Sequence, residues 1–364
     1  MKRVEETTGH PWWVVHRAHL HAGLVEVAIK EGADIIIGST VTRLDHESGH
    51  QVLVETSKGK IYHFDLLIGS DGIKSIVRKT LFPDVKPTPP TTNCAYRALI
   101  PYTQVQKDPV ACTLVKRPTM EVWMTENAYI ISYPISDGTQ LNLVLSHHRP
   151  HPVASVEEVD MDEFRATYQD FDPRIKRIVD MVPSAKRWPL LVTGPLDTWS
   201  NPNKKVVLIG DAAHSMVNHM AQGAATSMED GAFLAKCVGE VVKGNMNLRE
   251  AVALYEKERM PRAYEKQQIS FLNGQFWQLP EGPEQEARDR AMKPELEGRP
   301  FIRSPNLYGD PSTVLEVYGY DAERHAEEAI RRWKTGKEER NERTGVTKRL
   351  EDKHFNWFKP KANL

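Results

Sequence analysis

Two stretches of the chain combine residue types and spacings that could do chemistry. The first is Leu67-Ile68-Gly69-Ser70-Asp71-Gly72-Ile73-Lys74-Ser75-Ile76-Val77-Arg78. An apolar run ends in Asp-Gly and a helix begins at once. This puts the Asp71 carboxylate at the C-terminal edge of a sheet, where open α/β folds bind ligands. The helix start supplies free N–H groups suited to a phosphate or hydroxyl. The same residues also fit a plain strand–turn–helix with Asp71 as its cap. The second stretch is Val207-Leu208-Ile209-Gly210-Asp211-Ala212-Ala213-His214, followed by Gln222-Gly223-Ala224-Ala225 and Glu229-Asp230-Gly231. Here too a strand runs into Gly-Asp. Small side chains lead to a helix opening near Gly223, leaving room for a flat ligand over its N-terminus. The positive end of that helix would stabilise negative charge developing on the ligand. Close helix–sheet packing would use the same small residues, but the two motifs together favour the ligand.

The elements that must position these residues are legible in part. Leu20, Leu24, Val27 and Ala28 predict an amphipathic helix over 17–31, stopped by Gly32. Strands are predicted at 33–38, 41–45, 51–55 and 60–70, with turns at Glu47-Ser48-Gly49 and Ser57-Lys58-Gly59. The run 64–69 reads as a strand buried on both faces. A proline-rich break at 83–90 marks a boundary. Beyond it, strands are expected at 94–100, 111–115, 120–125, 129–135 and 140–147, with Ser136-Asp137-Gly138 as a hairpin turn. Helices are expected at 157–169 and 172–181. After the strand at 206–209 comes a long helix with Met228, Ala232, Ala235, Val238 and Val242 on one face, ending at Gly244. Asn247 with Glu250 forms a capping box for another helix, which Pro261 should kink or break. The charge-dense stretch 331–353 reads as a solvated helix or tail.

Composition narrows the function classes. The 364 residues are 40% apolar and 27% charged, enough for a sizeable core and for two domains. Lys+Arg number 48 and Asp+Glu 49, so there is no global attraction to nucleic acid or anionic membrane. Cys94, Cys112 and Cys237 are far apart and odd in number. They form no disulfide framework or cysteine-type zinc site, and they suit a reducing, cytoplasmic setting. No metal site is expected. The first ten residues lack the apolar core of a secretory signal, and no run of 18 apolar residues predicts a membrane span.

The pair Gly-Ser-Asp-Gly-x-x-Ser-x-x-Arg at 69–78 and Gly-Asp-Ala-Ala-His at 210–214 resembles the two downstream flavin motifs of the group A flavoprotein aromatic hydroxylases, and especially the salicylate hydroxylase-like FAD-dependent monooxygenases. His16-Arg17-Ala18-His19-Leu20 resembles that family's helix start. Tyr96-Arg97 and Tyr133-Pro134 with Asn142-Leu143-Val144 resemble its substrate sheet, and Tyr318-Gly319-Tyr320-Asp321-Ala322 its C-terminal signature. The resemblance covers residues 12 to 325. It implies an α/β fold: a Rossmann-like, glutathione-reductase-type FAD-binding domain interrupted by a mixed or antiparallel substrate sheet. The implied layout is residues 1–86 and 193–275 for the FAD-binding domain, 87–192 for the sheet, and 276–364 for a helical C-terminus with a charged tail.

The resemblance further implies cofactor contacts at Arg17, Asp71, Gly210, Asp211, Gly223 and Ala224. Arg17 would reach the FAD diphosphate, and a guanidinium suits phosphate by charge and fork geometry. Asp211 would hold the ribityl–pyrophosphate region, and the Ala224 backbone would meet the flavin ring. Arg97 and Tyr133 would act on the substrate side, the arginine stabilising a phenolate and the tyrosine hydrogen-bonding the same oxygen. His147, His148 and His219 are lesser acid–base candidates, and His214 is expected to be structural.

The implied activity is hydroxylation of a small phenolic aromatic by O2, with NADH or NADPH reducing FAD transiently and a flavin hydroperoxide delivering the oxygen. A flavin monooxygenase acting on a larger natural product is the alternative, as is a chain that no longer retains FAD. The latter arises because no two glycines are spaced Gly-x-Gly. The family's opening βαβ unit with Gly-x-Gly-x-x-Gly is therefore expected to be missing, leaving sheet edge and apolar helix faces exposed. Asn218 stands where the family has proline. The oligomeric state is left open.

Overall fold

The computed structural model describes residues 2–47, 50–85 and 91–336. The helices that bear on the argument are, in chain order, α1 (Arg17–Lys30), α2 (Ile76–Leu81), α3 (Asp211–His214), α4 (Gly223–Val242), α5 (Leu248–Trp277) and α6 (Ala322–Thr335), with other helical segments before and between them, Pro283–Leu296 among these. Its strands are β1 (Val41–Asp45), β2 (Val52–Thr56), β3 (Ile61–Phe64), β4 (Leu67–Gly69), β5 (Asn93–Pro101), β6 (Glu121–Thr125), β7 (Ala128–Ile135), β8 (Gln140–His148), β9 (Glu157–Glu158), β10 (Lys186–Pro189) and β11 (Val206–Leu208). Two compact units emerge. Met1–Ile35, Pro90–Leu190 and Gly274–Ala291 make a sheet unit, and Ile36–Pro89, Leu191–Asn273 and Met292–Leu364 make a helical unit. The turn residues 48–49, the end of the proline-rich break at 86–90, and the charged stretch beyond 336 lie outside the described residues.

The sheet unit is built on one antiparallel sheet in the order β6-β7-β8-β5-β10-β9. Ser136, Asp137 and Gly138 turn β7 into β8 with φ of 51°, 55° and 73°. Alternation along the strands splits the sheet into two faces. Tyr96, Ile130, Leu143 and Leu145 pack against Phe164, Tyr168, Ile175 and Ile178 in one core. Arg97 lies opposite Val144, which lies opposite Ile131, and Leu99 lies opposite Asn142, which lies opposite Tyr133, so this set occupies the other face.

Three elements here differ from expectation. Residues 111–115 form a 3₁₀ helix, not a strand. The Asp108 carboxylate accepts the N–H groups of Val110 and Ala111 (2.9 and 2.8 Å) and starts the turn, a local bond that outcompetes extended pairing. The helix expected over 157–169 is confined to Met161–Thr167, capped by Asp160, while Glu157–Glu158 pair with β10. Residues 33–38 form no strand, because they pair with no other strand among the described residues; Ile35, Ile36 and Ile37 are exposed. The helix α1 forms as predicted and Gly32 ends it at φ 92°, but none of its residues is fully buried.

The helical unit holds an antiparallel sheet β1-β2-β3 and a parallel pair β4–β11, with Val206 opposite Leu67, Val207 opposite Ile68 and Leu208 opposite Gly69. The sequence run at 64–69 splits into β3 and β4 and is not buried on both faces. Among the described residues β4 has β11 as its one strand neighbour, so Ile68 stays 42% exposed while Val206, Val207 and Leu208 are fully buried.

The core face of α4 is Thr226, Asp230, Phe233, Leu234 and Cys237, not the predicted stripe; Met228 is half-exposed and Val242 fully so. A carboxylate can sit on that inner face only because cations meet it there, which sets the rotation of the helix. The capping box of α5 forms, Asn247 N–H donating to Glu250 Oε2 (2.9 Å) and Glu250 N–H to Asn247 Oδ1 (3.0 Å). Pro261 does not break α5, which runs 30 residues without interruption. Buried Tyr255, Arg259, Ala263 and Lys266 anchor it on both sides of the proline. Among the described residues no helix is long and apolar enough to cross a membrane.

Candidate functional site

In the helical unit β4 and β11 end side by side, and each runs into its Asp-bearing motif. Gly69 fits tightly there: a Cβ would stand 2.8 Å from both Leu208 Cδ2 and Val77 Cγ1. Asp71 caps α2 with both oxygens. Oδ1 accepts from Ser75 Oγ (2.5 Å), and Oδ2 accepts from the N–H groups of Ile76 (2.6 Å) and Val77 (3.2 Å). Its two oxygens are thus engaged within its own motif. Arg78 joins the two motifs. It donates to the Ala212 carbonyl (2.7 Å) and to the Ile73 carbonyl (2.5 Å).

Gly210 turns the chain from β11 into α3 with φ 59° and ψ −144°, a conformation close to glycine-only. A Cβ there would lie 2.7 Å from Ser227 Oγ, so α4 approaches this turn as closely as glycine allows. The Gly210 N–H donates to buried Asp230 Oδ2 (3.0 Å), which also lies 2.5 Å from His214 Nε2. His214, itself buried, is thereby tied to the carboxylate that holds the Gly210 turn. Burial would raise the Asp230 carboxyl, but His214, Arg259 and the Gly210 N–H together hold it below its ordinary value. Asp211 is exposed, and among the described residues nothing pairs with its carboxylate. Its Oδ1 lies 3.9 Å from where a Cβ on Gly223 would project. The first turn of α4, with half-buried Gly223 and exposed Ala224, has no side-chain cap, which leaves its N–H groups available.

In the sheet unit Arg97 and Tyr133 share the face opposite the core. Arg97 is exposed by area, yet its head is desolvated enough to lower its proton affinity; neighbouring Arg17 lowers it further and Tyr133 acts in the other direction. Burial raises the Tyr133 hydroxyl despite Arg97, so it stays a donor at neutral pH. Arg17, at the start of α1, is thus brought near Arg97, one of the two residues read as substrate-facing. His147 is not an acid–base group near neutrality: burial, then Arg187, Arg149 and His148, push it down to about 4. His148 is likewise lowered by burial. His219 is buried, and its carbonyl accepts from Asn273 Nδ2 (2.7 Å).

A family model described as "FAD binding domain" matches residues 1–269. The FAD-dependent monooxygenase OpS4 of Beauveria bassiana is 31% identical over 322 residues, covering 88% of this chain and 74% of its own. The chain belongs to the FAD-dependent monooxygenases. The 3-hydroxybenzoate 6-hydroxylase of Klebsiella oxytoca is 32% identical over 259 residues, covering 70% of this chain and 61% of its own. The crystal structure of FqzB has the same fold, with a TM-score of 0.70 and 24% identity over 89% of this chain and 72% of its own. So does a salicylate hydroxylase substrate complex, with a TM-score of 0.64 and 22% identity over 85% of this chain and 74% of its own. Members of this family are oxidoreductases that use FAD.

The residues present fit the ribityl and isoalloxazine portion of a flavin. Asp211 is an unpartnered acceptor for hydroxyls, and the open first turn of α4 offers donors to the electron-rich edge of the ring. The sequence reading quoted Arg78 and Glu229 within its motifs without giving either a role, and it did not single out Arg259, Arg262 or Lys266, the three cations that the structure gathers around Glu229. Their signal was present as Glu-Asp inside a mostly apolar helix, with cations at 259, 262 and 266 recurring at helical spacing on another.

Proposed function

We propose that this protein is an FAD- and NAD(P)H-dependent monooxygenase that hydroxylates a small phenolic aromatic with O2, and that it works in the cytoplasm. The observation that carries the reading is the junction of β11, Gly210-Asp211 and the uncapped α4 N-terminus, where the exposed Asp211 carboxylate stands beside the first-turn amides of α4. Asp211, Gly210, Gly223 and Ala224 would hold FAD, which when bound supplies hydride acceptance from NADH or NADPH and the activation of O2. The backbone of α4 would polarise the ring edge that gains charge. Asp71 would contribute indirectly, by fixing α2, and Arg17 would serve an anionic group such as the FAD diphosphate. Arg97 would stabilise the phenolate form of the substrate by charge, making its ring more electron-rich, while the Tyr133 hydroxyl donates to the same oxygen.

The test is the visible spectrum of the purified chain after FAD addition and desalting, followed by NADH and NADPH oxidation with salicylate and 3-hydroxybenzoate. Retained flavin bands and substrate-stimulated oxidation are expected, with Arg97→Met lowering the rate at least about tenfold by removing a charge-assisted bond. Loss of all flavin on desalting would favour a chain that does not retain FAD. A larger natural-product substrate is the second reading. OpS4 aligns over 88% of the chain whereas the Klebsiella 3-hydroxybenzoate 6-hydroxylase aligns over 70%. Stimulation by larger phenols alone would select it.

A further inference from the structure

Behind the α4 N-terminus lies an ion network that closes around Lys266. This side chain is 2% exposed. Its Nζ donates to Glu229 Oε1 (2.6 Å) and to Gln222 Oε1 (3.0 Å). Gln222 is the residue immediately before α4, itself buried, so Lys266 grips the residue from which the open amides of Gly223 and Ala224 follow. Glu229 sits two turns further along the same helix. It also accepts from Arg259 Nη2 (2.9 Å) and Arg262 Nε (2.9 Å). Arg259 continues to Asp230 Oδ1 (3.0 Å), and Asp230 reaches the Gly210 N–H. One connected set of charges therefore fixes both backbones that flank the proposed flavin opening.

The charge of this set does not cancel. Three cations from α5, Arg259, Arg262 and Lys266, face two carboxylates from α4, Glu229 and Asp230, and His214 Nε2 bonds the second of these. Tyr318 and Tyr320 cover it from the C-terminal segment. Tyr320 donates to or accepts from His325, and Arg262 stacks 3.6 Å from the Tyr320 ring centroid. One positive charge is left over, buried and on the same side as the positive end of α4. Desolvation and then Arg262 push the Lys266 ammonium down to about 7, while Glu229 pulls the other way, so this charge is the one that can leave near neutrality.

Resting on the reading that FAD binds at this opening, we infer that Lys266 is a positioning residue for the flavin. By holding Gln222 and Glu229 it aims the first-turn amides of α4, and its charge favours the reduced, anionic flavin over the oxidised one. The oxidised ring is neutral, so removing Lys266 weakens binding of the reduced form more than of the oxidised form.

The experiment compares the chain with Lys266→Met, loaded with FAD, by dye-coupled equilibrium reduction and by flavin fluorescence titration. Lys266→Met keeps the length of the side chain without its charge or donors. The expected result is that the reduced-to-oxidised ratio of FAD dissociation constants rises by about fivefold to thirtyfold, the effect of one charge at a partly buried helix terminus. The dependence of the potential on pH between 6 and 8 should also flatten, and Lys266→Arg should restore the ratio. If Lys266→Met does not fold by circular dichroism, Lys266→Gln makes the same comparison. An unchanged ratio in the folded variant overturns the inference while leaving FAD binding intact. Failure of the unsubstituted chain to bind FAD overturns the binding reading and the inference with it.

Discussion

The turn at Gly210 is the position where a single methyl group should do the most measurable harm. Gly210→Ala introduces two separate costs. The backbone at φ 59° and ψ −144° disfavours any Cβ, about 1–3 kcal/mol. The new Cβ also lies 2.7 Å from Ser227 Oγ and 3.1 Å from Ser227 Cβ, an overpacking cost of about 1–3 kcal/mol unless α4 shifts. Ser227 is anchored by its bond to the Gly223 carbonyl (3.0 Å), so it cannot swing away freely. The sum is a loss of about 2–6 kcal/mol, read from urea unfolding midpoints at fixed slope. The double variant Gly210→Ala with Ser227→Ala removes the 2.7 Å contact but not the backbone strain. It should recover about 1–2 kcal/mol and no more. A Gly210→Ala protein within about 0.5 kcal/mol of the parent would refute the reasoning, since it would mean that the β11–α3 turn relaxes at no cost.

Three further outcomes follow from the same geometry. Asp71→Ala removes three hydrogen bonds at the start of α2 and should cost about 1–2 kcal/mol in urea unfolding while changing FAD affinity less than about tenfold; a larger loss of affinity at unchanged stability would make Asp71 a direct cofactor ligand. Asp230→Ala leaves the fully buried Arg259 short of a partner and should destabilise by about 3–5 kcal/mol, with an effect under 1 kcal/mol disproving the burial argument. Glu229, held down to about 2 against burial by Arg262, Lys266 and Arg259, and Asp230, also lowered, bind fewer protons folded than unfolded. Their contribution is complete above the ordinary carboxyl values of 4.5 and 3.8 and is lost as pH falls toward about 2, so the urea midpoint should drop between pH 5 and 3 and do so less in Glu229→Gln.

The sequence by itself determined the local events. The α5 capping box, the Ser136–Gly138 hairpin, the stop at Gly32 and the two strand-to-Asp motifs are each set within a few residues, by bonds or backbone angles that neighbours in sequence supply. The α/β class and the flavin family were legible for the same reason. Where an element's state depended on distant partners, the tertiary structure decided. Residues 33–38 have the β-pattern but find no ladder among the described residues, so they are not a strand, and the 64–69 run is half-exposed because β4 has one neighbour among those residues. The α4 helix turns Asp230 inward, against its apolar stripe, because Arg259 and His214 arrive from elsewhere in the chain to pair with it. Asp71 illustrates the division most plainly. Its type and position pointed equally to a ligand or a cap, and only the coordinates of Ser75, Ile76 and Val77 showed both oxygens engaged in capping. A charge's role is fixed by what shares its low-dielectric surroundings, and sequence spacing records the charge without recording that company.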